Sequence, residues 1–333
     1  MPFFRIAYAM NHSLPTVTEE DTKKLTHINL AFALLKDGQL DLHPLTNIGL
    51  IDKFRQWNPE LKIVLSVGGW AAGGFSTAAM TEEGRIKLAA SCEEAVRTYG
   101  LDGIDIDWEY PCSDCAGIDA DPRDKENFTL LLQAIRDAIG QEHILSVAMG
   151  ADESCVRNTE MEKVSRILNY VQLMTYDMCN GFSTRAGHHA ALSPSKGDTS
   201  KNNTRAVVEL YHSAGVPYEK MVIGAAFYAR HFDVASAENN GLLQPSGPGI
   251  SKASYHHITA EYLAEHGYRE FWDENAEAAW LFNGKTFVSY ESAEAIRRKA
   301  QFTKDKQLLG LMYWEHGHDT TRELLGILFE ILT

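Results

Sequence analysis

The fold is decided by one stretch of the chain, Leu101-Asp102-Gly103-Ile104-Asp105-Ile106-Asp107-Trp108-Glu109-Tyr110-Pro111. Side chains alternate between the two faces of a β-strand, so Asp105, Asp107 and Glu109 would share one face and the apolar residues between them the other. The apolar face suits a layer of helices outside a parallel sheet, and the acidic face would then point inward. Buried like charges are costly unless some carboxyls are protonated or hydrogen-bonded, so the pattern indicates a functional strand. A solvated edge strand is the alternative, and strand-like runs on both sides of this stretch argue against it.

Eight strand-like runs alternate with helical segments along the chain. The runs lie at 3–9, 26–33, 62–68, 102–109, 143–149, 170–176, 221–227 and 308–314. Helical periodicity is clearest in 82–100 and 124–140, where a glycine closes each pattern. This alternation predicts a parallel α/β architecture, and eight is the number of strands that closes a (β/α)8 TIM barrel. A doubly wound open sheet is compatible with the same pattern.

The connection between the seventh and eighth runs is anomalous, because residues 228–307 far exceed what one crossover helix needs. Residues 231–288 are rich in aromatic residues and contain turn signals such as Asn239-Asn240-Gly241. We therefore predict a small α+β insertion at 231–288, between strands 7 and 8, in a barrel formed by 1–230 and 289–333. Loops that follow barrel strands emerge at the C-terminal face, so the insertion should form one wall of a cleft.

The three aligned carboxyls suggest acid–base chemistry. Mutual repulsion predicts a raised pKa for at least one of them. Glu109, nearest the C-terminal rim, is then placed as a general acid, with Asp107 beneath it to hold or relay a proton. Such an acid suits cleavage of a glycosidic bond, whose leaving oxygen must be protonated. Carboxylates also bind Mg²⁺ or Ca²⁺, but ligands at i, i+2 and i+4 of one strand fit a compact metal shell poorly.

Composition restricts the possible partners. The 333 residues include 31 Lys+Arg and 45 Asp+Glu, a net charge of −14 that repels phosphate backbones, so nucleic acid is not an expected partner. The apolar runs are far shorter than the ~20 residues that span a bilayer, so we expect no membrane segment. We also expect the protein to be a monomer. No secretory signal is recognisable at the start, which leaves two possibilities for localisation: export after removal of a signal, or the cytoplasm.

Cysteines and histidines give weaker signals. Cys112 and Cys115 form a C-x-x-C pair, but no second pair and no His at zinc-ligand spacing accompanies them, which favours a loop clip or unpaired thiols over a metal or redox site. The histidines at 188–189, 256–257 and 316–318 lack a carboxylate or Cys at a matching offset. We therefore predict no metal site.

The acidic strand resembles the D-G-x-D-x-D-x-E signature of glycoside hydrolase family 18, the chitinases, at residues 102–109. Four other segments are similar to motifs of the same family, in the same order: S-V-G-G-W at 66–70, Q-L-M-T-Y-D at 172–177, F-Y-A-R at 227–230 and G-L-M-Y-W-E at 310–315. The insertion resembles the α+β module of the deep-cleft chitinases. Ala7 and Ala229 depart from the family pattern, which usually has glycine at both positions.

The resemblance implies a retaining glycosidase in which the 2-acetamido group of the substrate is the nucleophile, without a metal or organic cofactor. Glu109 would protonate the glycosidic oxygen, Asp107 would bond the acetamido N–H, and Asp105 would take up the proton left behind. Tyr176 would donate its hydroxyl to the acetamido oxygen. The implied substrates are chitin and β-1,4-linked N-acetylglucosamine oligomers. The implied substrate-binding residues are Tyr8, Phe32, Ser66, Trp70, Met174, Asp177, Tyr228, Arg230 and Trp314.

Aromatic platforms are a further expectation, because the C–H faces of sugar rings pack on aromatic side chains. Trp314 and Trp70 are the favoured platforms, whereas Trp272 and Trp280 are either platforms or the core of the insertion. Two alternative functions remain open, a chitinase-like lectin and an endo-β-N-acetylglucosaminidase acting on N-glycans. Such lectins usually lack the acid that Glu109 supplies here, and the insertion and the tryptophans look more like those of chitinases.

Overall fold

Eight parallel strands close into a barrel. The structure, a computed structural model, describes residues 3–200, 202–263 and 267–333. The barrel strands are β1 (Phe4–Met10), β2 (His27–Lys36), β4 (Lys62–Gly68), β5 (Gly103–Asp107), β6 (Ile144–Met149), β7 (Tyr170–Leu173), β8 (Met221–Ala226) and β14 (Gly310–Trp314), and β3 (Gln39–Asp41) forms a hairpin with the end of β2. Because β1 pairs with both β2 and β14, the parallel sheet is closed, which confirms the barrel and excludes the open sheet.

Helices surround the barrel. They are α1 (Glu19–Lys24), α2 (Ile51–Trp57), α3 (Phe75–Ala79), α4 (Glu82–Tyr99), α5 (Asp124–Ile139), α6 (Glu153–Arg157), α7 (Met161–Ile167), α8 (Thr204–Ser213), α9 (Tyr255–His257), α10 (Ala293–Asp305) and α11 (Glu323–Leu332), with a π-helical turn at Ile258–Tyr262. The helices predicted at 82–100 and 124–140 are confirmed as α4 and α5. The side chain of Thr81 caps α4, which ends where Gly100 takes a left-handed φ of 59°. Among the described residues, no helix has the length and apolar character of a membrane span.

The two faces of β5 meet different surroundings, as its alternation predicts. Ile104 and Ile106 are fully buried in the main apolar core, between the barrel and its helices. Trp108 lies in the same layer, stacked on Phe75 with ring centroids 5.4 Å apart and edge-on to Phe128 at 5.5 Å. The acidic side chains of β5 therefore point into the barrel.

The insertion is built on a five-stranded antiparallel sheet in the order β10-β9-β13-β12-β11. Its strands are β9 (Tyr228–Asp233), β10 (Ile250–Ser254), β11 (Arg269–Asp273), β12 (Ala278–Phe282) and β13 (Thr286–Tyr290). The sheet extends beyond the predicted 231–288 at both ends, because only Phe227 separates β8 from β9 and the chain stays extended through the junction. Tyr228 and Arg230, which the sequence assigned to the barrel, thus lie on the first strand of the insertion.

Two predicted strands are shorter than their sequence patterns. β5 ends at Asp107, so Glu109 stands just beyond the strand on the rim. β7 ends at Leu173 rather than at 176, because the next amides bond locally: Thr175 N donates to Leu173 O at 2.8 Å and Tyr176 N to Met174 O at 2.7 Å. The segment that carries Tyr176 is therefore held by contacts other than the sheet ladder.

Candidate active site

A pocket of about 700 Å³ opens at the C-terminal ends of the barrel strands. The insertion supplies part of its wall through Tyr228, Arg230 and Ser251. Eleven of the predicted site residues line the pocket: Tyr8, Phe32, Trp70, Asp107, Glu109, Met174, Tyr176, Asp177, Tyr228, Arg230 and Trp314. The pocket volume is in the range of about 300–1,000 Å³ that is typical of small-molecule sites.

Asp105 lies beneath the pocket and accepts four hydrogen bonds. Its Oδ2 accepts from the hydroxyls of Tyr8 and Ser66, both at 2.8 Å, and its Oδ1 accepts from Ser146 at 2.7 Å and Gln172 at 2.9 Å. Burial raises the pKa of Asp105, and these four donors offset only part of the rise. Ser66 is fully buried and does not reach the pocket, so we assign it to the support of Asp105 instead of to substrate binding.

Asp107 and Glu109 form a pair of carboxyls with raised pKa values. Burial, together with the charges of Glu109 and Asp105, raises the pKa of Asp107 well above its ordinary value. Burial also raises the pKa of Glu109 to about 7, with a further contribution from Asp177, against an opposing hydrogen bond from Tyr110. The Oδ1 atom of Asp107 is buried and has no hydrogen-bond partner within the described part of the chain. Glu109 is thus able to give up a proton near neutral pH. Oδ1 of Asp107 remains available as a hydrogen-bond acceptor.

Tyr176 lines the same pocket as these acids and lies near enough to feel their charges. Burial, followed by the charges of Asp107 and Glu109, raises the pKa of Tyr176 far above its usual value, so its hydroxyl stays protonated. The sulfur of Met312, a weak acceptor 4.0 Å away, is the partner of that hydroxyl. The ring lies against Gly224, where an added Cβ would come within 2.8 Å of Cε1 of Tyr176. The hydroxyl is therefore a donor that a ligand acceptor could readily engage.

Asp177 is held by an arginine, a tyrosine and a buried histidine. Both of its carboxylate oxygens accept from the Arg230 guanidinium, with Nη2 2.6 Å from Oδ2, and Tyr228 donates to Oδ1 at 2.7 Å. The buried His189 places Nδ1 3.5 Å from Oδ1. Burial alone would raise the pKa of Asp177, but Arg230 and His189 outweigh it and hold that pKa well below its ordinary value. Asp177 is therefore ionised across the physiological range.

Aromatic rings cover the floor and mouth of the pocket. Trp314 stacks on Phe32 with centroids 5.4 Å apart, and Tyr8 lies 5.8 Å from it. Trp70 is 56% exposed at the mouth, as a platform for a sugar ring would be. Trp272 and Trp280, by contrast, do not line the pocket. Both pack in apolar cores, Trp280 in that of the insertion.

Sequence reasoning missed most of the residues that loops bring to the rim. The missed lining residues include Tyr110, Asp152, Met178, Asn180, Phe182, Asn202, Ser251 and His318. Except for Ser251, which lies on β10, these residues are in loops or short turns, which have no fixed period, so no pattern marks their positions. Ser146 was also missed, although register places it directly beside Asp105 on β6. An alignment of the inward faces of β5 and β6 is the signal that could have found it.

The remaining cysteines and histidines form no metal cluster that the described ranges reveal. All five cysteines are free thiols, Cys112 and Cys115 included. No group of three or more His, Cys, Asp or Glu side chains in residues 3–200, 202–263 and 267–333 has the geometry to hold a metal ion. Two of the histidines face buried carboxylates instead: His188 lies 3.6 Å from Asp273 and His316 lies 3.4 Å from Asp21.

Comparison with protein families decides the classification. The model of glycosyl hydrolases family 18 matches residues 6–319, nearly the whole chain. The chain belongs to glycosyl hydrolase family 18. The resemblance drawn from the five motifs is thereby confirmed, as is the prediction of a glycoside hydrolase.

Relatives of this family 18 member are similar over most of its length. Chitinase A1 of Niallia circulans is 34% identical over 305 residues, which cover 84% of this chain but only 43% of that protein. Chitotriosidase-1 of Mus musculus is 30% identical over 322 residues, or 88% of this chain and 67% of that one. A solved family 18 N-acetylglucosaminidase from Paenibacillus barengoltzii superimposes with a TM-score of 0.97 at 45% identity, covering 99% of this chain and 100% of that one.

The raised pKa of Glu109 makes the stability of this family 18 enzyme depend on pH. A glutamate titrates near about 4.3 when unfolded, and at about 7 in the folded enzyme. Its contribution to stability is therefore fully present below the unfolded pKa and is lost as the pH rises through the folded pKa. We expect Glu109→Gln to be more stable than the wild type at pH 8 by roughly 3–4 kcal/mol, and the gain to vanish near pH 4. Urea unfolding of both proteins at several pH values measures this, and a pH-independent difference would contradict it.

Proposed function

We propose that this enzyme hydrolyses β-1,4 linkages between N-acetylglucosamine units in chitin and its oligomers by substrate-assisted, retaining catalysis. The observation that carries the proposal is the group of three side chains, Glu109, Asp107 and Tyr176, in the pocket. A protonatable Glu109 stands at the rim, the unpartnered Oδ1 of Asp107 lies beneath it, and Tyr176 lies near enough to feel both charges. These three groups match what an acetamido sugar needs when its own amide is the nucleophile.

In the first step, Glu109 donates its proton to the glycosidic oxygen as the bond from that oxygen to the anomeric carbon breaks. The carbonyl oxygen of the 2-acetamido group attacks the anomeric carbon and forms a cyclic oxazolinium ion. Oδ1 of Asp107 accepts the acetamido N–H, and the Tyr176 hydroxyl donates to the acetamido oxygen, which fixes the attacking geometry. In the second step, Glu109 takes a proton from water, and the resulting hydroxide opens the ring to give a β-anomer.

Asp105 supports this sequence by adjusting its own protonation. The negative charge of Asp107 stabilises the cationic intermediate, so its proton must move elsewhere. Three of the four donors to Asp105 are hydroxyls, from Tyr8, Ser66 and Ser146. Hydroxyls can rotate to accept as well as donate, so Asp105 can hold a proton without losing its partners.

A second candidate is an N-acetylglucosaminidase that releases single sugars. The observation in its favour is the relative from Paenibacillus barengoltzii, an N-acetylglucosaminidase that this chain matches over its full length. Both candidates use the same acid and the same acetamido nucleophile, and they differ only in where the oligomer is cut. The lectin alternative is not favoured, because Glu109 and its supporting groups are all in place.

NMR of freshly digested N-acetylglucosamine tetramers to hexamers tests the proposal. We expect new reducing ends to appear as β-anomers before they mutarotate. Release of monomer alone would identify the N-acetylglucosaminidase, α-anomers would overturn retention, and an absence of products would favour a lectin. A thiazoline analogue of the oxazolinium ion should inhibit competitively, and indifference to it would count against substrate assistance. An N-glycan substrate run in parallel tests the endo-β-N-acetylglucosaminidase alternative.

Removal of one hydroxyl tests the role of Tyr176. We expect Tyr176→Phe to lower kcat by about 10²-fold with little change in KM, because its bond to the acetamido oxygen strengthens as charge develops. Steady-state kinetics on a chromogenic chitobioside measure both constants. Tyr218→Phe, which removes a hydroxyl that bonds to Glu209 outside the pocket, is the control. An unchanged kcat in Tyr176→Phe would make that tyrosine a bystander.

A further inference from the structure

The segment that carries Tyr176 has left the ladder that joins β7 to β8. The ladder between β7 and β8 ends at the pair Leu173 and Ile223. Beyond it, the Thr175 side chain bridges to β8: its hydroxyl donates to Gly224 O at 2.7 Å and accepts from Gly224 N at 2.9 Å. On the other side, Met174 N still donates to Met149 O of β6 at 2.9 Å. Because Tyr176 must place its hydroxyl on a substrate atom, this segment needs a firmer tie to β8 than one bridging side chain.

A buried lysine from the outer helix α10 supplies further contacts at this point. Lys299 is 1% exposed, and its Nζ lies 3.0 Å from Gly224 O, 3.3 Å from Thr175 O and 2.8 Å from Oε1 of Glu291. These three acceptors match the three N–H bonds of an ammonium group. Thr175 directly precedes Tyr176, and Gly224 is the residue on which the Tyr176 ring rests.

The partner of the lysine extends the same support to the insertion. Glu291 is 3% exposed and directly follows β13, which is the last strand of the insertion along the chain. Its Oε2 accepts from the backbone N–H of Ala226 at 2.6 Å, at the end of β8. From Ala226 the chain passes through Phe227 directly to Tyr228, the first residue of the insertion. The pair of Lys299 and Glu291 therefore links the C-terminal ends of β7 and β8 to the beginning and the end of the insertion.

We propose that Lys299, paired with Glu291, is a positioning residue for catalysis, which holds the backbone on either side of the Tyr176 ring so that its hydroxyl meets the acetamido oxygen. The inference rests on the proposed function, because it assigns Lys299 an effect only through Tyr176. Buried ion pairs contribute little net stability, and apolar replacements are often neutral or stabilising. Stability alone therefore does not account for a pair buried at this location, whereas a fixed geometry for two backbone carbonyls does.

A double-mutant cycle tests this inference. The variant Lys299→Met/Glu291→Gln removes both charges, and the glutamine oxygen can still accept from Ala226 N. In the wild-type background we expect kcat to fall by about 10- to 100-fold with little change in KM, as for a misplaced reacting group. In the Tyr176→Phe background the same pair of changes should alter kcat by less than about twofold, because the hydroxyl they position is gone. Kinetics on soluble chitooligosaccharides give all four values.

Lys220 provides the matched control. Its Nζ also binds two backbone carbonyls, Ser165 O at 2.6 Å and Leu168 O at 2.7 Å, but at the N-terminal end of β8, away from the pocket. We expect Lys220→Met to lower the unfolding midpoint while kcat stays the same.

Each outcome of the cycle has a defined meaning. Equal losses of kcat with and without the Tyr176 hydroxyl, or a lowered unfolding midpoint with unchanged kcat, would overturn the positioning role. A Tyr176→Phe enzyme of normal kcat would instead remove Tyr176 from the proposed function, and the inference with it. If the double variant does not fold, Glu291→Gln alone keeps the lysine, and its smaller loss of kcat should likewise disappear in the Tyr176→Phe background.

Discussion

Glu109→Gln is expected to lower kcat by about 10²–10⁴-fold, the usual contribution of a general acid, while oligomer binding is retained. The amide has nearly the same shape as the acid but cannot donate a proton to the leaving oxygen or take one from water. Because both steps use this group, neither can compensate for the other. Turnover of N-acetylglucosamine oligomers and calorimetric binding of the same oligomers measure the two halves of the prediction.

Misfolding would not explain such a loss, because the same variant is expected to be the more stable protein at pH 8. Glu126→Gln, an exposed change on α5, serves as the control of matched chemistry. Wild-type turnover by Glu109→Gln would remove the acid assignment. Loss of both binding and turnover would indicate that Glu109 shapes the pocket instead of supplying a proton.

Asp107→Asn is expected to lower kcat by about 10²-fold or more, because a neutral amide cannot stabilise the cationic intermediate as a carboxylate does. The charge of Glu109 contributes to the raised pKa of Asp107. Coulombic repulsion acts on both partners of a coupled pair, so we expect the loss of the Asp107 charge to lower the pKa of Glu109. Since the acid must be protonated to act, the alkaline limb of kcat/KM, expected near the Glu109 pKa of about 7, should move to lower pH.

The shift of the alkaline limb shows whether Asp107→Asn acts through the lost charge or through a change in the shape of the pocket. Asp102→Asn, at the opposite end of the same strand beside Lys62, is the control and should leave the limb in place. A full pH profile of kcat/KM for the wild type and both variants gives the result. If Asp107→Asn loses activity with the limb unmoved, the two carboxyls do not share their protons, and the proposed relay fails.

The barrel strands and the acidic strand β5 could be predicted from sequence because their signals are local and periodic. The alternation in 102–109 gave both the buried apolar face and the inward acids, and the helical repeat in 124–140 ended at its glycine as α5 does. The closure of the sheet was not visible, because pairing between β1 and β14 joins the two ends of the chain.

The support of the site could not be predicted in the same way. Lys299 is the last of three consecutive basic residues on α10, after Arg297 and Arg298, and in such a run a lysine normally faces solvent. Its burial depends on carbonyls of Thr175 and Gly224, which come from distant parts of the chain. Loop residues such as Phe182, 77% exposed at the pocket mouth, carry no period at all. What escapes sequence patterns here is the set of contacts between elements, rather than the elements themselves.

The strand β9 belongs to two structures at once, since it opens the antiparallel sheet and carries Tyr228 and Arg230 to the carboxylate of Asp177. Excising the insertion to widen the pocket, or exchanging it for that of a relative, would therefore also replace residues of the candidate active site. A change on β9 is therefore expected to alter substrate range and turnover together. A safer grafting point is the exposed turn at 283–285, between β12 and β13, where the sheet can be altered without disturbing the contacts of Asp177.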